Sequence, residues 1–375
     1  MATPRREPAT HPWPWVLGRE LAGIFEIERR SVMDGEVRFR GRLLMAPEAA
    51  EAVLASRLEP FGYTPLIQAP NDIVLVRYAY LPAARPGPPW PLNLALLLAT
   101  VCTTVLVGSG LDLTVLLEPG GLAMLRRLAD PDFLLPGLLF SSGLLLILGC
   151  HELGHYFAAR AYGVQVSLPY FVPLPLWPMG TMGAIIRMRS PIPNRKVLFD
   201  IGIAGPLLGM VVALPILILG LMLSPVQPLH GVAFQEGNSL AYLFLKWLVK
   251  GPIRPGYDVM LHPFALAGWL GFFVTALNLM PLSQLDGGHI AYAVLTRRFR
   301  YVVAIFLAAL VGLFAVSRWP GWLVWVGLAI VLGLRHPPPL DEATPLDPFR
   351  RALALVALGL LVALLTPLPF AVYEF

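Results

Sequence analysis

The stretch FLLPGLLFSSGLLLILGCHELGHYFAAR, Phe133 to Arg160, decides the fold. Most of it is an apolar run long enough to cross a bilayer, which takes about 20 residues of helix. Its later part carries His151, Glu152 and His155 in the pattern H-E-x-x-H. On a helix, positions i and i+4 share one face, so both imidazoles can hold one zinc ion with Glu152 beside the open coordination position. Three ionisable side chains within a hydrophobic span are costly and mark a functional site by default. The bland alternative is a set of polar residues buried against neighbouring helices.

Composition points the same way. Of 375 residues, 57% are hydrophobic and 14% charged, whereas soluble domains carry nearer a quarter charged. The chain reads as a polytopic α-helical membrane protein. Its formal charge of +5 does not require nucleic acid, because Lys and Arg also cluster in cytoplasmic loops of membrane proteins. No basic patch is interleaved with aromatics, which sets nucleic acid aside as a partner. Cys102 and Cys150 lie in apolar spans, where free thiols behave as small hydrophobes, and they suggest no disulfide framework.

Residues 1–85 are dense in charge and read as a small soluble α+β domain, with no signal-peptide core. Strands are expected at Phe25 to Arg30 and Glu36 to Leu44, flanking the Asp34-Gly35 turn. A helix follows at Pro47 to Leu58, then strands at Tyr63 to Gln68 and Ile73 to Tyr80 around Pro70-Asn71. A proline-rich linker, residues 86–91, leads into a transmembrane region, 92–375. Apolar runs place six to seven spans near 92–108, 133–160, 199–223, 262–282, 301–316, 320–334 and 351–370, the fifth and sixth short enough to form a hairpin. Residues 165–190 are broken by Pro169, Pro173, Pro175, Pro178, Gly180 and Gly183. Irregular backbone at membrane depth must be buried in protein or line a water cavity, so this stretch is expected to be a strand-bearing loop beside the site.

Basic residues orient the chain. Arg160, Arg187, Arg189, Arg195 and Lys196 fall in one loop, Arg297, Arg298 and Arg300 in another, and Arg335, Arg350 and Arg351 in a third. The opposite loops hold fewer: Arg126, Arg127, Lys246, Lys250, Arg254 and Arg318. The positive-inside rule puts the N-terminal domain in the cytoplasm. His151 then lies roughly 13 Å into the membrane from the Arg160 end, so water must reach that depth. Residues 238–250 read as an amphipathic helix, with Lys246 and Trp247 at the membrane interface.

A catalytic zinc site usually takes three protein ligands and a water. Asp286, in NLMPLSQLDGG (Asn278 to Gly288), supplies the third; it closes a later apolar span on the same side as Arg160. The competing reading for Asp286 is an N-cap of the next helix. Pro281 breaks the helix and Gly287-Gly288 permits a close backbone approach.

At this point the chain resembles the site-2 protease family of intramembrane zinc metalloproteases. H-E-x-x-H on one span and N-x-x-P-x-x-x-L-D-G on a later one are its two signatures. Gly180-Thr181-Met182-Gly183-Ala184, Phe199-Asp200 and Ala204-Gly205-Pro206 match as well, so the likeness covers a catalytic core at about 133–295. The Gly-Thr-Met-Gly stretch and N-terminal module look most like the branch with plant chloroplast members and bacterial relatives. The resemblance implies an integral protein of the bacterial inner (cell) membrane. It would cleave peptide bonds within or near the span of a single-pass transmembrane substrate, with Zn2+ on His151, His155 and Asp286. Glu152 would be the general base, and Asn278 would bind substrate or stabilise the transition state. Many members carry a PDZ domain, for which residues 223–261 are too short. The alternatives are an inactive relative acting as a membrane binding protein, or an ion transporter whose ionisable residues line a path. His289 reads as an interfacial or supporting histidine, Asp200 as a helix cap at the membrane edge, and His230 and His262 as out of reach.

Overall fold

In the computed structural model, the described residues are 14–33, 36–69, 71–77, 90–111, 113–118, 126–229, 232–282, 284–332, 334, 336 and 337–374. The Asp34-Gly35 turn, Pro70, His230, Arg335 and residues 86–89 of the expected linker lie outside them. The chain forms two compact units, residues 1–85 with 190–197 and 337–346, and the remainder.

The first unit contains α1 (Pro14–Glu20), β1 (Phe25–Met33), β2 (Glu36–Leu43), α2 (Pro47–Leu58), β3 (Tyr63–Ala69) and β4 (Asp72–Arg77). The strands form one antiparallel sheet in the order β1-β2-β4-β3. Alternating residues send Phe25, Val37, Phe39, Ile73 and Leu75 into a core with Leu54 and Leu58 of α2, as a period-2 pattern with one wet face requires. The later segments join this sheet edge: Asp341 bridges Ile67 and Asn194, and the Glu342 amide donates to the Ile67 carbonyl at 2.9 Å. The expected module ended at residue 85; these two segments, distant in sequence, extend the unit.

The second unit is mostly helical: α3 (Trp90–Gly108), α4 (Leu113–Leu117), α5 (Pro131–Ala161), the hairpin β5 (Tyr170–Pro173) and β6 (Thr181–Ile185), and α6 (Arg195–Leu223), whose first turn lies in the other unit. Then come β7 (Val226–Pro228), β8 (Val232–Glu236), α7 (Leu240–Lys250), β9 (Tyr257–Val259), α8 (Pro263–Asn278), α9 (Asp286–Leu295), α10 (Phe299–Ser317), α11 (Gly321–Leu332), α12 (Pro348–Leu364) and β10 (Phe370–Glu374). Among the described residues, four helical stretches are long and apolar enough to cross a membrane: α3, α5, α6 and the run Asp286–Ser317, which spans α9 and α10. The helices α8 and α11 are apolar but shorter. The expected fourth span runs to 282, but α8 stops at Asn278, where the chain turns through Pro281.

Small residues let the helices of the second unit approach closely, as in membrane bundles generally. A Cβ on Gly137 of α5 would lie 2.2 Å from the Val105 carbonyl of α3, and one on Gly268 of α8 would lie 2.6 Å from Leu217 of α6. Thr104 and Ser141 share a 2.7 Å hydrogen bond across α3 and α5.

The helix α7 differs from expectation in its facing. Lys246 is not at an interface: it is 8% exposed, 2.6 Å from Asp258 and 3.5 Å from Glu236. Leu240, Leu243, Phe244, Trp247 and Leu248 point outward instead. Desolvating a lysine is tolerable only when it is paired, and here two carboxylates turn the charged face of α7 inward.

Candidate metal centre

Three elements bring the candidate ligands together. The helix α5 presents His151, Glu152 and His155 on its buried face. The loop after α8 returns the chain so that Asp286 opens α9. Leu285 is the N-cap of that helix, so the Asp286 carboxylate is not spent on a cap and faces the two histidines. His151 Nε2 lies 3.0 Å from Asp286 Oδ2, His155 Nε2 lies 3.2 Å from Asp286 Oδ1, and the two Nε2 atoms are 3.1 Å apart. Bond lengths of about 2.0–2.1 Å in a tetrahedral zinc site imply ligand atoms roughly 3.3 Å from one another. The three donors have close to that spacing, so these residues fit a zinc ion. Among the described residues this is the one group of three or more His, Cys, Asp or Glu whose ligand atoms converge.

Secondary contacts orient the donors. His155 Nδ1 is 2.7 Å from the Ile201 carbonyl oxygen. That oxygen can only accept, so Nδ1 carries the hydrogen and Nε2 is left with its lone pair toward the centre. The helix α6 approaches closely enough for this bond because its facing positions are glycines. A Cβ on Gly205 would fall 2.1 Å from His155 Nε2, and one on Gly209 3.2 Å from His151. On the other side, a Cβ on Gly154 of α5 would lie 2.5 Å from the Ala204 carbonyl. The Ala204-Gly205-Pro206 element thus serves packing, and the packing positions the candidate ligands.

Glu152 is 6% exposed and receives a backbone hydrogen bond from Ile186, just beyond β6. Asn278, the last residue of α8, holds its side-chain nitrogen 3.3 Å from His151 Nε2. The β5–β6 hairpin fills the expected strand-bearing loop. Gly180 there has φ +71 and sits where a Cβ would strike Thr104 Cα of α3 at 2.7 Å, which accounts for glycine at that position. Met182 and Ile185 of β6 are exposed.

Two placements went unforeseen. Asp200 is no cap: it lies inside α6 and accepts two hydrogen bonds from the Arg350 guanidinium, Nε to Oδ1 at 2.8 Å and a second nitrogen to Oδ2 at 2.5 Å. His289 pairs with His336, Nδ1 to Nε2 at 2.6 Å, and His336 stacks on Tyr292. The sequence gives no sign of His336, because a lone histidine in a Pro-rich stretch carries no spacing signal. His262 caps α8, its ring nitrogen accepting from the Phe264 amide at 3.2 Å.

Fold and donor set define a class: a helical membrane protein with a buried His-His-Asp centre and a neighbouring glutamate. Residues 139–316 match the profile of Peptidase family M50. The chain is 28% identical over 363 residues to the "Probable zinc metalloprotease EGY2, chloroplastic" of Oryza sativa subsp. indica, covering 92% of this chain and 64% of that protein. It is 29% identical over 308 residues to the EGY1 counterpart of Arabidopsis thaliana, covering 76% of this chain and 55% of the relative. The chain thus carries a Peptidase M50 (site-2 protease) domain over residues 139–316 and is homologous to these chloroplast zinc metalloproteases of plants. It spans less than two thirds of the length of these relatives.

Proposed function

We propose that the chain is an intramembrane zinc endopeptidase that hydrolyses peptide bonds within or near the transmembrane segment of a single-pass membrane protein. The observation that carries this reading is the convergence of His151, His155 and Asp286 at one buried point beside Glu152. The relatives' names, zinc metalloproteases, support it. The ion-transporter alternative is disfavoured, because the ionisable groups meet at one point instead of lining a path.

His151, His155 and Asp286 would hold the zinc, which would supply Lewis acidity toward a substrate carbonyl and lower the pKa of water at the centre. The residues of the chain do the rest. Glu152 takes the proton from the attacking water and hands it to the leaving amine. Asn278 donates its amide hydrogens to the substrate carbonyl as negative charge develops there. A helical substrate hides its peptide bonds, so the reacting segment must be extended; β6, which among the described residues pairs in a sheet with β5 alone, accepts it as an added strand.

In the same proposal α8, α11 and α12 join the four long helical stretches to complete six to seven spans. The N-terminal unit lies in the cytoplasm, and the bilayer is the inner membrane of a bacterium. The orientation rests on the Arg- and Lys-rich loops; the bacterial membrane rests on family resemblance alone, since the named relatives are chloroplastic.

The test is a purified, detergent-reconstituted assay on a candidate single-pass substrate. Wild type should cleave, and chelated protein should not. Glu152→Gln should keep its zinc yet lose about 10²–10⁴-fold in turnover. Comparable cleavage by all three samples overturns the proposal.

A further inference from the structure

The carbonyl that orients His155 belongs to Ile201, so the position of α6 along α5 matters to within a few tenths of an ångström. A 2.7 Å hydrogen bond is lost if α6 slides by 1 Å. What holds α6 there is the residue before Ile201. Asp200 receives two hydrogen bonds from Arg350, in the first turn of α12, at 2.8 and 2.5 Å. It also accepts the hydroxyl of Tyr162, the C-cap of α5, at 2.5 Å. Arg350 is steadied in turn by Asp347, the N-cap of α12. The Asp200 and Arg350 side chains are only 20% and 22% exposed. A two-pronged guanidinium–carboxylate contact fixes direction as well as distance, and partial burial limits screening by water. Three helices therefore meet on one carboxylate adjacent to the carbonyl that holds the ligand.

We propose that Arg350, Asp200 and Tyr162 form a clamp that positions the Ile201 carbonyl against His155 Nδ1 and so sets the affinity of the centre for zinc. They are positioning residues, since none of them touches the three donors. The inference rests on the reading of His155 as a zinc ligand.

The clamp is tested by the zinc dissociation constant of the full-length chain in detergent, measured by competition with a chelating dye. The thermal midpoint of the metal-free protein runs alongside as the fold control. Loss of a group that supports a ligand through hydrogen bonding costs about 10–100-fold in metal affinity. Asp200 acts one residue further out, so Asp200→Asn should weaken zinc by about tenfold. Arg350→Gln should do the same, and the double variant should be no worse than either, because both remove one device. Arg350→Lys keeps the charge without the fork and should fall between Arg350→Gln and wild type. Lys246→Met, which breaks an ion cluster around α7, should lower the midpoint and leave zinc affinity alone. Wild-type affinity in folded Asp200→Asn and Arg350→Lys overturns the clamp, and these milder variants decide the matter if Arg350→Gln does not fold. A wild-type chain that holds no zinc overturns the proposed function and the clamp with it; a zinc-loaded wild type with unaffected variants overturns the clamp alone.

Discussion

Replacing Gly205 by alanine tests the site through a residue with no chemistry of its own. Within a helix, glycine to alanine ordinarily stabilises by about 1 kcal/mol. Here the sign should reverse. The new Cβ would lie 2.1 Å from His155 Nε2, 2.4 Å from Cδ2 and 2.5 Å from Cε1. Non-bonded heavy atoms settle at about 3.5–4.0 Å, so the ring must retreat by more than 1 Å. Retreat breaks the 2.7 Å bond to Ile201 and withdraws one of three donors. Overpacking of this kind costs about 1–3 kcal/mol in stability, and we expect zinc affinity to fall by at least about 100-fold. The assay is zinc content and dye competition on detergent-purified protein, with the thermal midpoint recorded. Two variants calibrate it. In Gly209→Ala the added Cβ meets His151 at 3.2 Å, a contact relieved by a small shift, and Gly359→Ala in α12 meets nothing within 4 Å. The first should lose far less affinity than Gly205→Ala, and the second none. A folded Gly205→Ala protein with wild-type zinc affinity would refute the packing of α6 on α5 as the device that delivers His155.

Asp286→Ala should strip zinc from the folded chain, while Asn278→Ala should leave zinc in place and lower turnover; metal analysis beside the cleavage assay separates the two. Orientation is open to labelling in a background where Cys102 and Cys150 are replaced. An impermeant thiol reagent applied to intact cells should modify a cysteine near Glu236 and spare one in residues 14–77, and the opposite pattern would reverse the proposed topology. A pH dependence should come from the first unit, where burial, with Asp341 and Glu48 nearby, pushes the Glu51 carboxyl up to about 7. Between its unfolded value near 4.5 and about 7, the folded form holds the extra proton, so stability falls as pH rises through that window. Glu51→Gln should therefore raise the thermal midpoint at pH 8 and leave it unchanged at pH 4.

The residues of the candidate centre are legible in the chain itself, because their signal is local or rests on residue type. H-E-x-x-H faces one way on any helix, and an intramembrane charge is too costly to be incidental. Asp286 was reachable by its motif and by matching depth. The long apolar spans follow from hydropathy, and the four strands of the first unit, observed at Phe25–Met33, Glu36–Leu43, Tyr63–Ala69 and Asp72–Arg77, from the turn signals at Asp34-Gly35 and Pro70-Asn71. What the tertiary structure decided are pairings between separate elements. Asp200 looks like a cap until Arg350 from another helix arrives at its carboxylate. Lys246 looks interfacial until Asp258 and Glu236 draw it inward. Segments 190–197 and 337–346 look like loops until Asp341 bridges Ile67. Helical and strand periodicity report which face of an element is apolar, whereas the partner of a charge, or the helix a glycine must admit, is set by contacts between elements that leave no mark in the local pattern.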